Sequence, residues 1–413
     1  MASSPQIRED PALVSTPAAS LVVVAERDPG IGTAPYASPV PNWSLRIPAL
    51  DGLRGIAILL VLMRHSIFGM ETHSKWLSVL LAAGQLSWSG VDLFFVLSGF
   101  LIGGILLDAR NSPNYFKTFY IRRAYRIFPL YFAVTALFLF RHLPFHIFPG
   151  SLGDHSPLLI PAAAYLTLTQ NVWMASLGWF GPTAMQATWS LAVEEQFYLT
   201  APLLIRKIRP RRMVAALISV IVTAPLLRML LHYKFTHGSF ACYVLMPCRA
   251  DALCLGVLAA LLVRNPKFWQ QLCAKRALLW WSTGIFLVGI AWMTYKGYDP
   301  FSSPMNAVGY SWIALFYTGC LLLAVSTARG WSHRLLCGPG LKGLGAIAYC
   351  SYLIHMPLIL AGRRVLQSLA HAWPTSTWLV GGLLGVAATL VIASLSWEYF
   401  EKPLLRRGHR YTY

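Results

Sequence analysis

ALDGLRGIAILLVLMRHSIF, residues 49–68, is apolar enough to cross a membrane yet holds Asp51 and Arg54 near its start and His65 near its end. Arg54 and His65 are eleven residues apart. Eleven residues of α-helix turn through about 1100°, so both side chains fall on nearly one face, about 16 Å apart along the axis. Ionisable groups at bilayer depth are expensive, rare and usually functional. The helix is therefore expected to carry a site on its inner face, a packed and hydrogen-bonded core histidine being the competing reading.

The composition around this stretch sets the class. Of 413 residues, 56% are hydrophobic and only 12% charged, and mean hydropathy is +0.55. This excludes an ordinary soluble globular protein and predicts an all-α, polytopic membrane protein. A net charge of +19 suggests nucleic acid until the basic residues are placed relative to the spans; they then become a topology signal, and no nucleic-acid partner is expected. The seven cysteines lie mostly in apolar stretches, where a thiol behaves as a small hydrophobe. With no CxxC pair and no Cys/His cluster, neither a metal nor a disulfide framework is expected.

Apolar stretches near spanning length occur at about 53–70, 88–107, 127–141, 188–205, 213–231, 250–263, 278–295, 308–327, 344–361 and 377–397, which predicts about ten transmembrane helices. A further piece at 158–174, interrupted by Pro161 and polar residues, is either an eleventh span or a re-entrant segment. Basic residues in short loops accumulate on the cytoplasmic side. Ten spans and a cytoplasmic start put Arg122, Arg123 and Arg126, the cluster at 206–212, Arg264 to Arg276, and Arg329 to Lys342 all inside. An eleventh span would throw the 206–212 cluster outside, so the re-entrant reading is preferred. Both termini are then cytoplasmic. Residues 1–45, rich in Pro, Ser and Ala without periodicity, read as a disordered cytoplasmic tail; residues 46–413 form one membrane domain.

Four constellations carry chemistry. The opening helix supplies Asp51, Arg54 and His65. GVDLFFVLSGFLIGGILL at 90–107 places Asp92 and Ser98 among glycines suited to close helix packing; Ser98 lacks the GxSxG context of a hydrolase nucleophile. FYIRRAYRIFPLYF at 119–132 sets Arg123 and Arg126 on one helical face, where guanidinium groups suit phosphate as well as lipid headgroups. ATWSLAVEEQFYL at 187–199 contributes Trp189, Glu194 and Glu195. The two carboxylates point about 100° apart, so only one faces the interior. Beyond these, Arg249 and Asp251 are expected to pair with each other. His355 is a second intramembrane imidazole, either structural or lining the same cavity. The outer loops 71–87, 142–157 and 232–246 carry His and aromatic residues suited to sugars.

Taken in order, PALDGLRGIAILLVLMRHS, GVDLFFVLSGFLI, FYIRRAYRIFPLY, TWSLAVEEQFYL, RADALCLGVLAA, SYLIHMPL and EYFEKP resemble the acyltransferase-3 family of integral membrane acyltransferases, from about Pro48 to Pro403. The resemblance implies a ten-helix membrane fold in the bacterial inner membrane. Its activity would move an acyl group, often acetyl, from acyl-CoA to a hydroxyl of a carbohydrate or other small acceptor. The family's basic-x10-His motif falls on Arg54 and His65, its RxxR motif on Arg123 and Arg126, and the glutamate of its WSLxxE segment on Glu194. The expected catalytic residues are His65 as general base, with Glu194 or Asp51 orienting the ring; the donor's phosphates are expected on Arg123, Arg126 and Arg54. Asp92, Ser98, Trp189, Glu195, Arg249 and His355 are candidates for lining the substrate cavity. Expected partners are acyl-CoA, the acceptor and membrane lipids, with homo-oligomerisation left open. The rival class is a proton-coupled secondary transporter with His65, Glu194 and His355 as relay, although the paired broken helices and repeats of transporters are not visible.

Overall fold

A computed structural model of the chain describes residues 41, 43, 47–67, 81, 84–141, 159–369 and 374–413. The expected tail at 1–45 lies outside the described residues apart from 41 and 43, as does most of the outer loops 71–87 and 142–157. The described residues form helices and turns and no strand. The long helices are α1 (Pro48–Ile67), α2 (Gly90–Asp108), α3 (Tyr115–Arg141), α4 (Thr188–Lys207), α5 (Pro210–Lys234), α6 (Met246–Val263), α7 (Arg276–Tyr295), α8 (Tyr310–Ser326), α9 (Pro339–Leu369) and α10 (Pro374–Ser396).

Eight of these lie in stretches long and apolar enough to cross a membrane. The other two, α1 and α4, fall short in composition, not length: each has 20 residues, about 30 Å of helix. They carry Asp51, Arg54 and Arg64 and the pair Glu194 and Glu195 respectively. The helices whose charges spoil their hydropathy are thus the two that hold most of the expected site. The chain is a multi-pass, all-α membrane protein.

The interrupted piece at 158–174 is not an eleventh span. It folds as two short helices, Ala162–Leu166 and Gln170–Leu177, joined through Leu168 with φ 57°, and neither is long enough to cross a bilayer. Two of its polar residues pack against α4: Gln170 donates to the Thr188 carbonyl at 3.0 Å and Asn171 accepts from Gln196 at 2.8 Å.

Two parallel helix pairs set the register of the interior, and glycines make both possible. In the first, α1 lies along α9. A Cβ on Gly345 would sit 2.0 Å from the Asp51 carbonyl oxygen and 3.3 Å from the Gly55 nitrogen, and one on Gly55 would sit 2.2 Å from the Leu341 carbonyl oxygen. The two backbones touch there, and any side chain would force them apart. At the far end of α1, Arg363 of α9 donates to the carbonyls of His65 and Ser66 at 3.0 and 2.7 Å, satisfying oxygens that a helix end leaves unpaired. Leu50, Leu53, Ala57, Ile58, Val61 and Leu62 fill the buried stripe between these points at helical spacing.

In the second pair, α2 lies along α6. Cβ atoms on Gly99 and Gly256 would fall 2.0 and 2.2 Å from carbonyl oxygens of the facing helix. Ion pairs pin both ends: Asp92 with Arg249 toward the start of the helices, side chains 1% exposed, and Asp108 with Arg264 at 2.7 Å toward their end. The partners are 157 and 156 residues apart in sequence, which is one register held over the whole length of the contact.

Arg249 and Asp251, expected to pair with each other, do not. Asp251 pairs instead with fully buried Arg228 of α5 at 2.9 Å, and Ser311 hydrogen-bonds both, at 2.6 Å to Asp251 and 2.7 Å to Arg228. Residues two apart on a helix point to different sides, so each side chain meets a different neighbour: Arg249 faces α2 and Asp251 faces α5.

Candidate active site

His65 and His355 meet because α1 and α9 are parallel and locked by their glycines. Each histidine lies ten residues beyond its contact glycine, Gly55 and Gly345, so each advances about 15 Å from a common level. His355 Nε2 is 3.2 Å from His65 Nδ1 and the ring centroids are 4.8 Å apart. The other contacts assign the protons. His355 Nδ1 is 2.7 Å from the Tyr352 carbonyl, which only accepts, so Nδ1 carries the hydrogen and Nε2 presents its lone pair. His65 Nδ1 faces two acceptors, that lone pair and the Val61 carbonyl at 2.9 Å, so it too is protonated. His65 Nε2 is left with a lone pair and has no hydrogen-bond partner among the described residues. That is the tautomer a general base requires.

A second cluster lies deeper toward the start of α1. Ser98 donates to Glu194 Oε1 at 2.8 Å and Tyr198 to Glu194 Oε2 at 3.0 Å, with the two hydroxyls 3.1 Å apart. Arg54 interacts electrostatically with Arg126, Asp51, Tyr198 and Glu194, and Arg123 with Arg126, Tyr198 and Glu195. The Arg123 guanidinium sits 5.9 and 6.0 Å from the rings of Phe119 and Tyr198. Its Nε is buried without a hydrogen-bond partner among the described residues, as is Glu195 Oε1. Arg54 and Arg126 therefore converge on Glu194, whose oxygens are already taken by hydroxyls, while Arg123 lies beside Glu195, leaving an excess of donors and positive charge that suits a phosphorylated ligand.

A sequence profile described as an acyltransferase domain matches residues 47–397. The chain belongs to the acyltransferase-3 family. The chain is similar to the peptidoglycan O-acetyltransferase OatA of Listeria monocytogenes, at 27% identity over 88% of the chain and 56% of the relative. It is also similar to the O-acetyltransferase OatA of Staphylococcus aureus, at 26% over 88% and 58%. YrhL of Bacillus subtilis, provisionally named a peptidoglycan O-acetyltransferase, is 30% identical over 88% of the chain and 56% of the relative. The chain thus spans a little over half the length of these curated relatives. No solved structure matches it.

The structure places several expected site residues differently. Neither Glu194 nor Asp51 orients His65. Glu194 is engaged by Ser98 and Tyr198, and Asp51 lies fourteen residues before His65 on the same helix, about 21 Å away. The side chain that contacts its ring nitrogen is His355. Asp92 and Arg249 are paired with each other and Arg249 also lies 3.9 Å over the Tyr310 ring, while Asp92 Oδ2 and Arg249 Nε and Nη1 keep no hydrogen-bond partner among the described residues. Trp189 is 4% exposed and packs on Tyr243 and Phe95. Ser98 belongs to the Glu194 cluster and His355 to His65.

Reading the sequence missed Tyr198, Tyr352, Ser190 and Arg363. Tyr198 had a signal, since it follows Glu194 by four residues and shares its helical face. Tyr352 and Ser190, whose hydroxyls are 2.6 Å apart, had none: they lie on α9 and α4 and meet only in the folded chain.

Proposed function

We propose that this protein transfers an acyl group, acetyl in the simplest case, from acyl-CoA to a hydroxyl of a carbohydrate acceptor at the outer face of the bacterial plasma membrane, with both termini cytoplasmic. The observation that carries the reading is the unprotonated, unpartnered Nε2 of His65, whose ring is held through Nδ1 by His355 at the level reached by the far half of α1.

Arg54, Arg123 and Arg126 hold the donor's phosphates from the cytoplasmic side. The orphaned Nε of Arg123 is a donor awaiting such an oxygen. The pantetheine arm then extends along α1 over the interval from Arg54 to His65, about 16 Å, which brings the thioester carbonyl to the imidazole. His65 Nε2 takes the acceptor hydroxyl's proton as that oxygen bonds to the carbonyl carbon. When the tetrahedral adduct collapses, the carbon–sulfur bond breaks and the imidazolium returns its proton to the departing coenzyme A sulfur. His355 Nε2, accepting from His65 Nδ1, fixes the tautomer and shares the transient positive charge, the part a carboxylate plays in a serine hydrolase. Glu194 balances Arg54 and Arg126 and does not touch the imidazole.

The test is transfer by the purified chain in lipid nanodiscs, from radiolabelled acetyl-CoA to an oligomer of N-acetylglucosamine. Label should appear on the acceptor, and His65→Ala should abolish it. Undiminished transfer by that variant would remove His65 as base. Accumulation of solute in proteoliposomes without consumption of acyl-CoA would replace the reading with transport.

A further inference from the structure

We infer that the outer face holds a dedicated subsite for a pyranose ring of the acceptor, in an open cleft of ≈370 Å³ bounded by residues 178–180, 236–237, 239–240 and Phe301. The inference rests on the acyl-transfer reading for its purpose and on independent geometry for its existence. Three chain segments far apart in sequence build it: the turn after the helix Gln170–Leu177, the turn that leads into the short helix Gly238–Val244, and the loop between α7 and α8. All three connect helices on the side of the membrane where α1 ends.

The walls have the chemistry of a sugar site. Phe180 and Phe240 are 4.6 Å apart, and Phe240 stacks on Phe301 at 5.6 Å with the planes 9° apart. Together with Trp179 these rings offer flat apolar faces of the kind that pack against the C–H face of a pyranose. Thr236, His237 and Ser239 line the same cavity, and their side chains make no hydrogen bond among the described residues. They are thus free for the equatorial hydroxyls at the rim of such a ring. A site with apolar faces and a few convergent polar groups, in a cavity of this size, is the usual form of a small-ligand pocket. Gly178 shows that the wall is built: its φ of 64° needs glycine, and a Cβ there would fall 2.3 Å from His237 Nδ1.

The cavity is also connected to the catalytic pair. Phe180 and Phe301 each contact Tyr243, at 5.7 and 5.5 Å, and Tyr243 contacts Trp189 at 4.6 Å. The next residue, Ser190, hydrogen-bonds the Tyr352 hydroxyl, and the Tyr352 carbonyl holds His355. A chain of pairwise contacts thus leads from the cavity wall to His355.

The experiment measures binding and turnover separately. Tryptophan fluorescence of the full chain in nanodiscs is titrated with the N-acetylglucosamine oligomer in the absence of acyl-CoA, for the wild type, His65→Ala, Phe240→Leu, Phe301→Leu and His237→Ala. Wild type and His65→Ala should bind alike, and the three cavity variants should bind about tenfold more weakly, the loss expected of a stacked ring or a polar contact. In transfer assays the same three should raise KM for the oligomer by the same factor while KM for acetyl-CoA stays unchanged. Phe240→Leu keeps an apolar side chain of similar bulk, so its fold is retained, and thermal unfolding at the wild-type temperature verifies this. Normal acceptor KM and binding in the cavity variants would overturn the subsite while leaving acyl transfer intact. Binding lost in those variants but no transfer by the wild type would uphold the subsite and defeat the function proposed above. A signal that responds to detergent or lipid chains and not to the oligomer would also overturn it.

Discussion

His355 Nε2 lies 3.2 Å from His65 Nδ1, although 290 residues separate the two in sequence. An imidazole stands where a carboxylate was expected. Both accept a hydrogen bond from the base, so replacing His355 by a neutral acceptor of similar reach should preserve much of its effect. His355→Gln is expected to keep kcat within about tenfold of wild type, while His355→Ala lowers it by roughly 10²-fold, inside the range general-base catalysis contributes. Acceptor KM should not move in either. Steady-state kinetics decide the matter: equal losses in the two variants would reduce His355 to packing.

The contact between Gly55 and Gly345 sets the level at which the histidines meet. A methyl on Gly55 would fall 2.2 Å from the Leu341 carbonyl oxygen, so Gly55→Ala must push α1 off α9. It should cost about 1–3 kcal/mol of stability, the usual penalty for overpacking, and lower kcat by well over tenfold by misplacing the imidazoles. Gly343 is the control on the same helix, since a methyl there would meet nothing within 4 Å. Gly343→Ala should be silent in thermal unfolding and in turnover.

Asp92 and Arg249 are each 1% exposed, so removing either partner leaves a buried charge. Asp92→Leu or Arg249→Met alone should destabilise by about 3–5 kcal/mol, whereas the double variant should recover most of that loss. Thermal unfolding of the four proteins in one detergent gives the comparison. Additive losses would mean that the two side chains act separately and do not fix the α2–α6 register as a pair.

His409, just beyond the last span, has its pKa lowered from the ordinary 6.5 by burial first and then by Arg122, Arg126 and Arg123. Taking away a positive neighbour favours the imidazolium, so Arg126→Gln should raise this pKa. Phosphates bound among these arginines should raise it as well. An NMR titration with isotope-labelled histidine, with and without acetyl-CoA, reads the shift. A His409 that moves with Arg126→Gln but ignores acetyl-CoA would place the donor's phosphates elsewhere.

Apolar stretches in the sequence located the ten long helices among the described residues, because spanning a bilayer demands about 20 mostly apolar residues whatever they pack against. Basic residues argued that 158–174 is not a span, and the structure agrees: Leu168 breaks it into two short helices. Helical periodicity placed Arg54 and His65 on one face and Arg123 beside Arg126, since those relations are internal to a single helix. It could not find partners. Arg249 was assigned to Asp251 because they are close in sequence, and it belongs to Asp92. The habit of carboxylates of orienting histidines points Glu194 or Asp51 toward His65, and Glu194 belongs to Ser98 and Tyr198. In both cases the deciding fact is the register between helices, which glycines at 55, 345, 99 and 256 fix through backbone contact. Glycine has no side chain to announce such a contact in sequence. By itself, then, the sequence determined an all-α multi-pass membrane protein of the acyltransferase-3 family with His65 on its inner face. Only the tertiary structure decided what stands behind that histidine, because the neighbour comes from a parallel helix 290 residues away in sequence.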